Sequence, residues 1–226
     1  MTKEVLESDV YEVFERIQDP NLVYPDYYLN PFHAYDEGNQ SWLATAEAEP
    51  ATMSIAKRAI PEATSIEEAN QIVRDNWLNV IEERHLKYLG RSQVNDILDI
   101  GCSVGVSTRY LAEKFPSAQA IRLDLSPYFL AVAAQKEEKL SRPKPIHWVY
   151  ANGEATGLSS DSFDLVSLAY VEQEGEAIVE ETKNSNHVQR KIEKRHYILE
   201  GKELEFYMKK LQRSLWMWAR FHGGID

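Results

Sequence analysis

Between Ile97 and Tyr110 the chain reads ILDIGCSVGVSTRY, and Gly101-Cys102-Ser103-Val104-Gly105 is a literal G-x-S-x-G. Such a loop can raise a serine nucleophile on a strained strand-to-helix turn, served by an aspartate and a histidine later in the chain. Extended to G-x-G-x-x-G, it can take a dinucleotide, whose pyrophosphate needs close backbone approach. As a degenerate glycine loop it can close over a nucleoside cofactor that carries no phosphates.

The neighbouring residues favour these chemistries unequally. The dinucleotide fingerprint needs glycine at 103 and 106, where this chain has Ser103 and Val106. A nucleophile elbow follows several strands and an oxyanion-hole loop. Here the residues before Ser103 read as helix and irregular chain, and His33 and His85 are followed by Ala and Leu rather than glycines. Asp161 or Asp164 with His187 or His196 keep the required order, but such pairs are common. The nucleoside reading draws on more residues. Asp99 stands two positions before Gly101, while Ser103 and Gly105 keep the turn tight. Asp124 closes the next apolar run, 23 positions after Gly101. A carboxylate there can bind both hydroxyls of a ribose. Asn152 follows the third apolar run and can hydrogen-bond an adenine edge.

These residues need elements to hold them. Ile97–Gly101, Ala120–Asp124, Ile146–Tyr150 and Phe163–Tyr170 read as short buried strands. Between them Val106–Phe115 reads as a helix stopped by Pro116. Ser126-Pro127, an N-cap with proline at N1, opens another helix running to about Leu140. Strands alternating with helices predict parallel βαβ units with right-handed crossovers. Upstream, residues 3–18 predict a short amphipathic helix, and 42–58 a helix broken at Pro61. Ser65-Ile66-Glu67-Glu68 is a capping box that starts a long helix ending at Gly90. Asp19–Asn39 is rich in proline and aromatics without a period, an irregular segment or a cap over a pocket, with His33 and its tyrosines as candidate lining. Past Glu172 the chain is strongly polar, then helical over Glu203–Phe221.

The 226 residues carry a formal net charge of −11, which argues against nucleic acid and anionic membrane surfaces as partners. One cysteine, Cys102, excludes an intrachain disulfide and makes a cysteine metal site unexpected. No apolar run approaches the length of a membrane span. The N-terminus lacks the apolar region of a secretory signal. A soluble intracellular protein is expected, cytoplasmic or, with residues upstream of Met1, plastid.

ILDIGCSVGVSTRYLAEKFP, LDLSPYFLAVA and WVYANGEATGLSSDSFDLVSLAYV, in that order, resemble successive motifs of class I S-adenosylmethionine-dependent methyltransferases. They look closest to the ubiquinone/menaquinone-biosynthesis-like group of plants, algae and cyanobacteria. The resemblance runs from about Val94 to Val171, and Val10–Leu89 is similar to the N-terminal extension of plant members. It implies an α/β fold with a doubly wound, Rossmann-like, mostly parallel sheet at 93–171 and a helical N-terminal extension at 1–92, while the polar-to-helical tail at 172–226 diverges from it and leaves the fold incomplete. It implies S-adenosyl-L-methionine as cofactor and a small-molecule methyl acceptor, attacked in line at the S-methyl carbon. Asp99 and Gly101 would meet the amino acid end of the cofactor, and Cys102, Ser103 and Gly105 would shape the loop around it. Asp124 would hold the ribose with Leu125 beside the adenine, and Asn152 and Gly153 would lie at the adenine edge. Ala169 and Tyr170 would face the sulfonium and the acceptor. No catalytic residue is assigned; Glu172 and Glu174 are candidate bases or simply solvated acids.

The chain departs from that family in three places. No L-R-P-G-G-like turn follows the fourth strand, Gln173-Glu174 stands where a His-Glu pair is frequent, and Arg122 replaces a frequent glycine. The chain thus reads as a truncated or divergent member. Three functions follow: methyl transfer, a catalytically impaired cofactor-binding remnant or interaction protein, and a serine hydrolase acting through Ser103.

Overall fold

In the computed structural model the described residues are 7–31, 35–142, 144–159 and 162–168. His33, Ala169, Tyr170, Glu172, Glu174 and the whole expected tail from 172 onward lie outside them.

Four parallel strands form the centre: β1 (Asp96–Ile100), β2 (Gln119–Asp124), β3 (His147–Tyr150) and β4 (Leu165–Ser167), in the order β3-β2-β1-β4. Two helices, α4 (Val106–Lys114) and α5 (Pro127–Glu138), make the β1-to-β2 and β2-to-β3 crossovers. This is the Rossmann-like arrangement expected, with β1 central and buried along Ile97, Leu98 and Asp99. Because side chains alternate across a strand, the sheet has two faces of different character. Ile97, Ala120 and Leu165 pack with Leu111 of α4 and with Phe115 just past its end. Leu98 and Leu123 pack instead with Ala151, Leu158 and Phe163 from the β3–β4 connection.

Ahead of the sheet come α1 (Val10–Ile17), a 3-10 turn at Asp26–Leu29, α2 (Trp42–Ala59) and α3 (Ile66–Leu89). The Ser65 hydroxyl accepts the Glu68 N–H at 3.0 Å, so the predicted cap forms. The Glu68 carboxylate accepts chiefly from Thr64, through both its N–H (2.5 Å) and its hydroxyl. Gly90 ends α3 in the left-handed region at φ +66°, its N–H on Leu86 O, a conformation glycine adopts without a Cβ clash. Pro50 lies inside α2 without ending it.

The N-terminal helices share their core with the sheet layer. Val10, Val13 and Ile17 of α1 bury against Leu130, Ala131 and Val132 of α5. Leu78 and Ile81 of α3 join the cluster around Ile97. This explains why α5 is apolar through Phe129–Ala134 with no polar face there: β2 and β3 lie on one side and α1 on the other.

Candidate functional site

Three residues of the glycine loop adopt the left-handed region: Gly101 (φ +66°), Ser103 (φ +50°) and Gly105 (φ +79°). Tight turns of this kind suit glycine, while serine bears a cost of roughly 1–2 kcal/mol. The Gly105 N–H closes on Cys102 O at 2.9 Å, and the Cys102 N–H reaches Leu123 O at 3.1 Å. A Cβ at Gly105 would lie 3.2 Å from both Ala133 Cβ and Arg122 Nη1, so packing as well as φ requires glycine.

Asp124, at the carboxyl end of β2, fastens this loop to the next one. Its Oδ2 accepts the Ser103 N–H at 2.7 Å and its Oδ1 the Ser126 N–H at 2.8 Å. The residue is 5% exposed. Burial pushes its carboxyl up to about 6, against the lowering effect of the N–H groups of Ser126, Ser103 and Leu125. A carboxylate has about four acceptor sites, so capacity remains for an incoming donor.

Asp99 is fully buried. Its Oδ2 accepts the Ser107 and Thr108 hydroxyls at 2.7 and 2.6 Å, holding the first turn of α4 against β1. Its Oδ1 completes no hydrogen bond, and neither does the Ser167 hydroxyl across the β1–β4 pairing. That hydroxyl still lies close enough to favour ionisation. Burial outweighs it, together with the two bonded hydroxyls and Arg74, and raises the carboxyl.

The other expected residues gather at the same edge. Cys102 points inward, 2% exposed, among Val10, Val13 and Leu130. Burial first, then Asp124 and Asp99, hold its thiol well above the ordinary range. Leu125 is buried beside Asp124. Asn152 and Gly153 follow β3, with Asn152 Oδ1 accepting the Glu154 N–H at 2.9 Å. The Ala151 N–H reaches Asp124 O at 3.3 Å, drawing this third segment to the other two. Arg122 lies under the loop, 1% exposed, its Nη2 3.8 Å from Glu137, which pairs in turn with Arg142 at 2.9 Å.

Sequence spacing missed several residues. Ser107 and Thr108 carry no motif signal, being eight and nine positions beyond Asp99. Ser126 was legible as a helix cap but not as a donor to Asp124. For a hydrolase the base is lacking among the described residues. His85 is buried with Nε2 3.1 Å from Gln93 O, and His147 opens β3 at the opposite end of the sheet.

Residues 97–185 match the model of a family described as "Methyltransferase domain". That match begins in β1 and takes in the glycine loop, β2, β3 and β4, less than half of the chain. Malonyl-[acyl-carrier protein] O-methyltransferase of Marinomonas sp. is 36% identical over 91 residues, covering 40% of this chain and 33% of that protein. Uncharacterized phycocyanin operon protein W of Pseudanabaena tenuis is 43% identical over 49 residues, covering 22% and 46%. The chain thus spans less than half the length of these curated relatives. Among solved structures, the plantazolicin methyltransferase BamL, in complex with a triazolic desmethylPZN analog and SAH, is 19% identical. Its TM-score is 0.36, over 57% of this chain and 44% of that one.

Proposed function

We propose that the chain binds S-adenosylmethionine at the carboxyl edge of the sheet and transfers its methyl group to a small-molecule acceptor. The observation that carries this reading is the Asp124 carboxylate, which ends β2, ties Ser103 to Ser126 and has acceptor capacity to spare. Motif order supports placing the chain nearest the ubiquinone/menaquinone-biosynthesis-like group.

When bound, S-adenosylmethionine supplies a methyl group already activated on a sulfonium. The chain's residues bind and orient. Asp124 accepts from the two ribose hydroxyls, a polar interaction strengthened by its buried setting. Gly101 and Ser103, small and in the left-handed region, keep the turn tight, and Gly105 lets Ala133 and Arg122 pack against the loop. Asp99 Oδ1 and the Ser167 hydroxyl, both buried and without a completed hydrogen bond, fit a cationic ammonium at the amino acid end. Leu125 supplies an apolar flank and Asn152 an amide for the adenine edge. Alignment and exclusion of water account for rate without an assigned base.

Calorimetric titration of the full chain with S-adenosylhomocysteine tests the reading. Heat of binding is expected for the wild type and its loss for Asp124→Ala. Absent heat in the wild type sinks the proposal. Transfer of a labelled methyl group to candidate acceptors then separates an enzyme from a binding remnant.

A further inference from the structure

The loops that Asp124 joins from inside are also gripped from outside, by the N-terminal extension. The Ser126 hydroxyl donates to Asn39 O at 2.7 Å, just ahead of α2. Two turns into α2, Glu49 receives Arg109 Nη2 on Oε1 at 2.7 Å and Lys136 Nζ on Oε2 at 2.5 Å. Arg109 stands in the first turn of α4, where its N–H bonds Gly105 O at 3.1 Å. Lys136 belongs to α5. A third contact, between the Tyr24 and Tyr150 hydroxyls, reaches the end of β3 next to Ala151 and Asn152.

Among the described residues, the segments that leave β1, β2 and β3 are therefore all contacted by the extension, through Glu49, Asn39 and Tyr24. We infer that residues 39–49 set the spacing of the two ligand-binding loops, with Glu49 the positioning residue that draws α4 and α5 together; this rests on the S-adenosylmethionine reading. Glu49, Arg109 and Lys136 are each only about one-fifth exposed, so solvent screens the network weakly. Arg122, the buried cation under Gly105, also feels the Arg109 charge. Removing the carboxylate leaves Arg109 and Lys136 without the anion they share, while Arg122 keeps Glu137. The loops then separate, and the ligand has to supply the closure.

The test uses the full chain and S-adenosylhomocysteine. In Glu49→Gln with an unchanged circular dichroism spectrum, the Kd is expected to rise five-fold or more. In the wild type, saturating ligand is expected to slow amide hydrogen exchange across residues 39–49, because coupling between two sites is reciprocal. That second arm needs no variant and is independent of whether Glu49→Gln folds. Lys136→Gln, which releases the same carboxylate from the α5 side, is expected to weaken binding in the same direction. A Kd within two-fold of wild type in folded Glu49→Gln, or unaltered exchange at 39–49 on saturation, overturns the inference while leaving the cofactor reading standing. No heat at all in the wild type would instead overturn the cofactor reading.

Discussion

Asp124 couples the acid range to two opposite effects. Its carboxyl titrates near 6 in the folded chain because burial disfavours the charge, against 3.8 for an ordinary aspartate. A carboxyl raised on folding binds its proton more tightly in the native state, so its contribution to stability is greatest in acid and is lost as pH rises from about 4 to about 6. Ligand binding has the reverse sign, since a ribose diol donates best to the ionised form. Calorimetry between pH 5 and 7.5 should show S-adenosylhomocysteine binding strengthen as pH rises through about 6, whereas Asp124→Asn binds weakly with a flat profile. Ser103 offers a second residue-scale test. Its left-handed backbone costs roughly 1–2 kcal/mol, and glycine returns about half of that in unfolded-chain entropy. Ser103→Gly is expected to raise stability by about 0.5–1 kcal/mol in urea unfolding and to keep ligand affinity. A hydrolase would lose its nucleophile and all turnover in the same variant.

Elements were legible where a local physical signal marked them. Ser65 and Gly90 announce both ends of α3, and Ser126-Pro127 announces α5. Ser65→Ala should cost about 1 kcal/mol of stability by loss of the Glu68 N–H acceptor, read as a lower urea midpoint with an unaltered slope. The cap on α5 mattered because that helix, surrounded by α1, β2 and β3, shows no polar–apolar alternation through its buried turns. The 3-10 turn at Asp26–Leu29 had no comparable marker, since proline and aromatics there specify a packed segment without a period. Strand ends were less distinct. The run Phe163–Tyr170 is apolar for longer than the Leu165–Ser167 ladder with β1. The candidate site was legible as far as one strand end and one loop could show it: Asp124 by its place after an apolar strand, Gly101 and Gly105 by their spacing. What stayed hidden was relational. Neither Ser107 and Thr108 under Asp99 nor Glu49 between Arg109 and Lys136 has a spacing that means anything until the helices pack.

At the scale of the molecule, helices α1 and α3 are as much part of the core as the strands are. Val10 and Val13 share a cluster with Leu130, and Leu78 and Ile81 share one with Ile97. The charge network at Glu49 adds position to this apolar attachment, and net charge alone could not reveal it. The same packing isolates the chain's one sulfhydryl. Cys102 lies 2% exposed next to Ser103, in one apolar cluster with Val10, Val13 and Ile17 of α1. A water-soluble disulfide reagent can reach that sulfur only when the bend above it lifts, and burial keeps the reactive thiolate scarce until then. Reaction with such a reagent should be slow in the native chain, rapid in urea, and slower still once S-adenosylhomocysteine occupies the bend, followed by mass. The rate at which Cys102 is labelled thus gauges how much of the time the roof over the sulfur stands open.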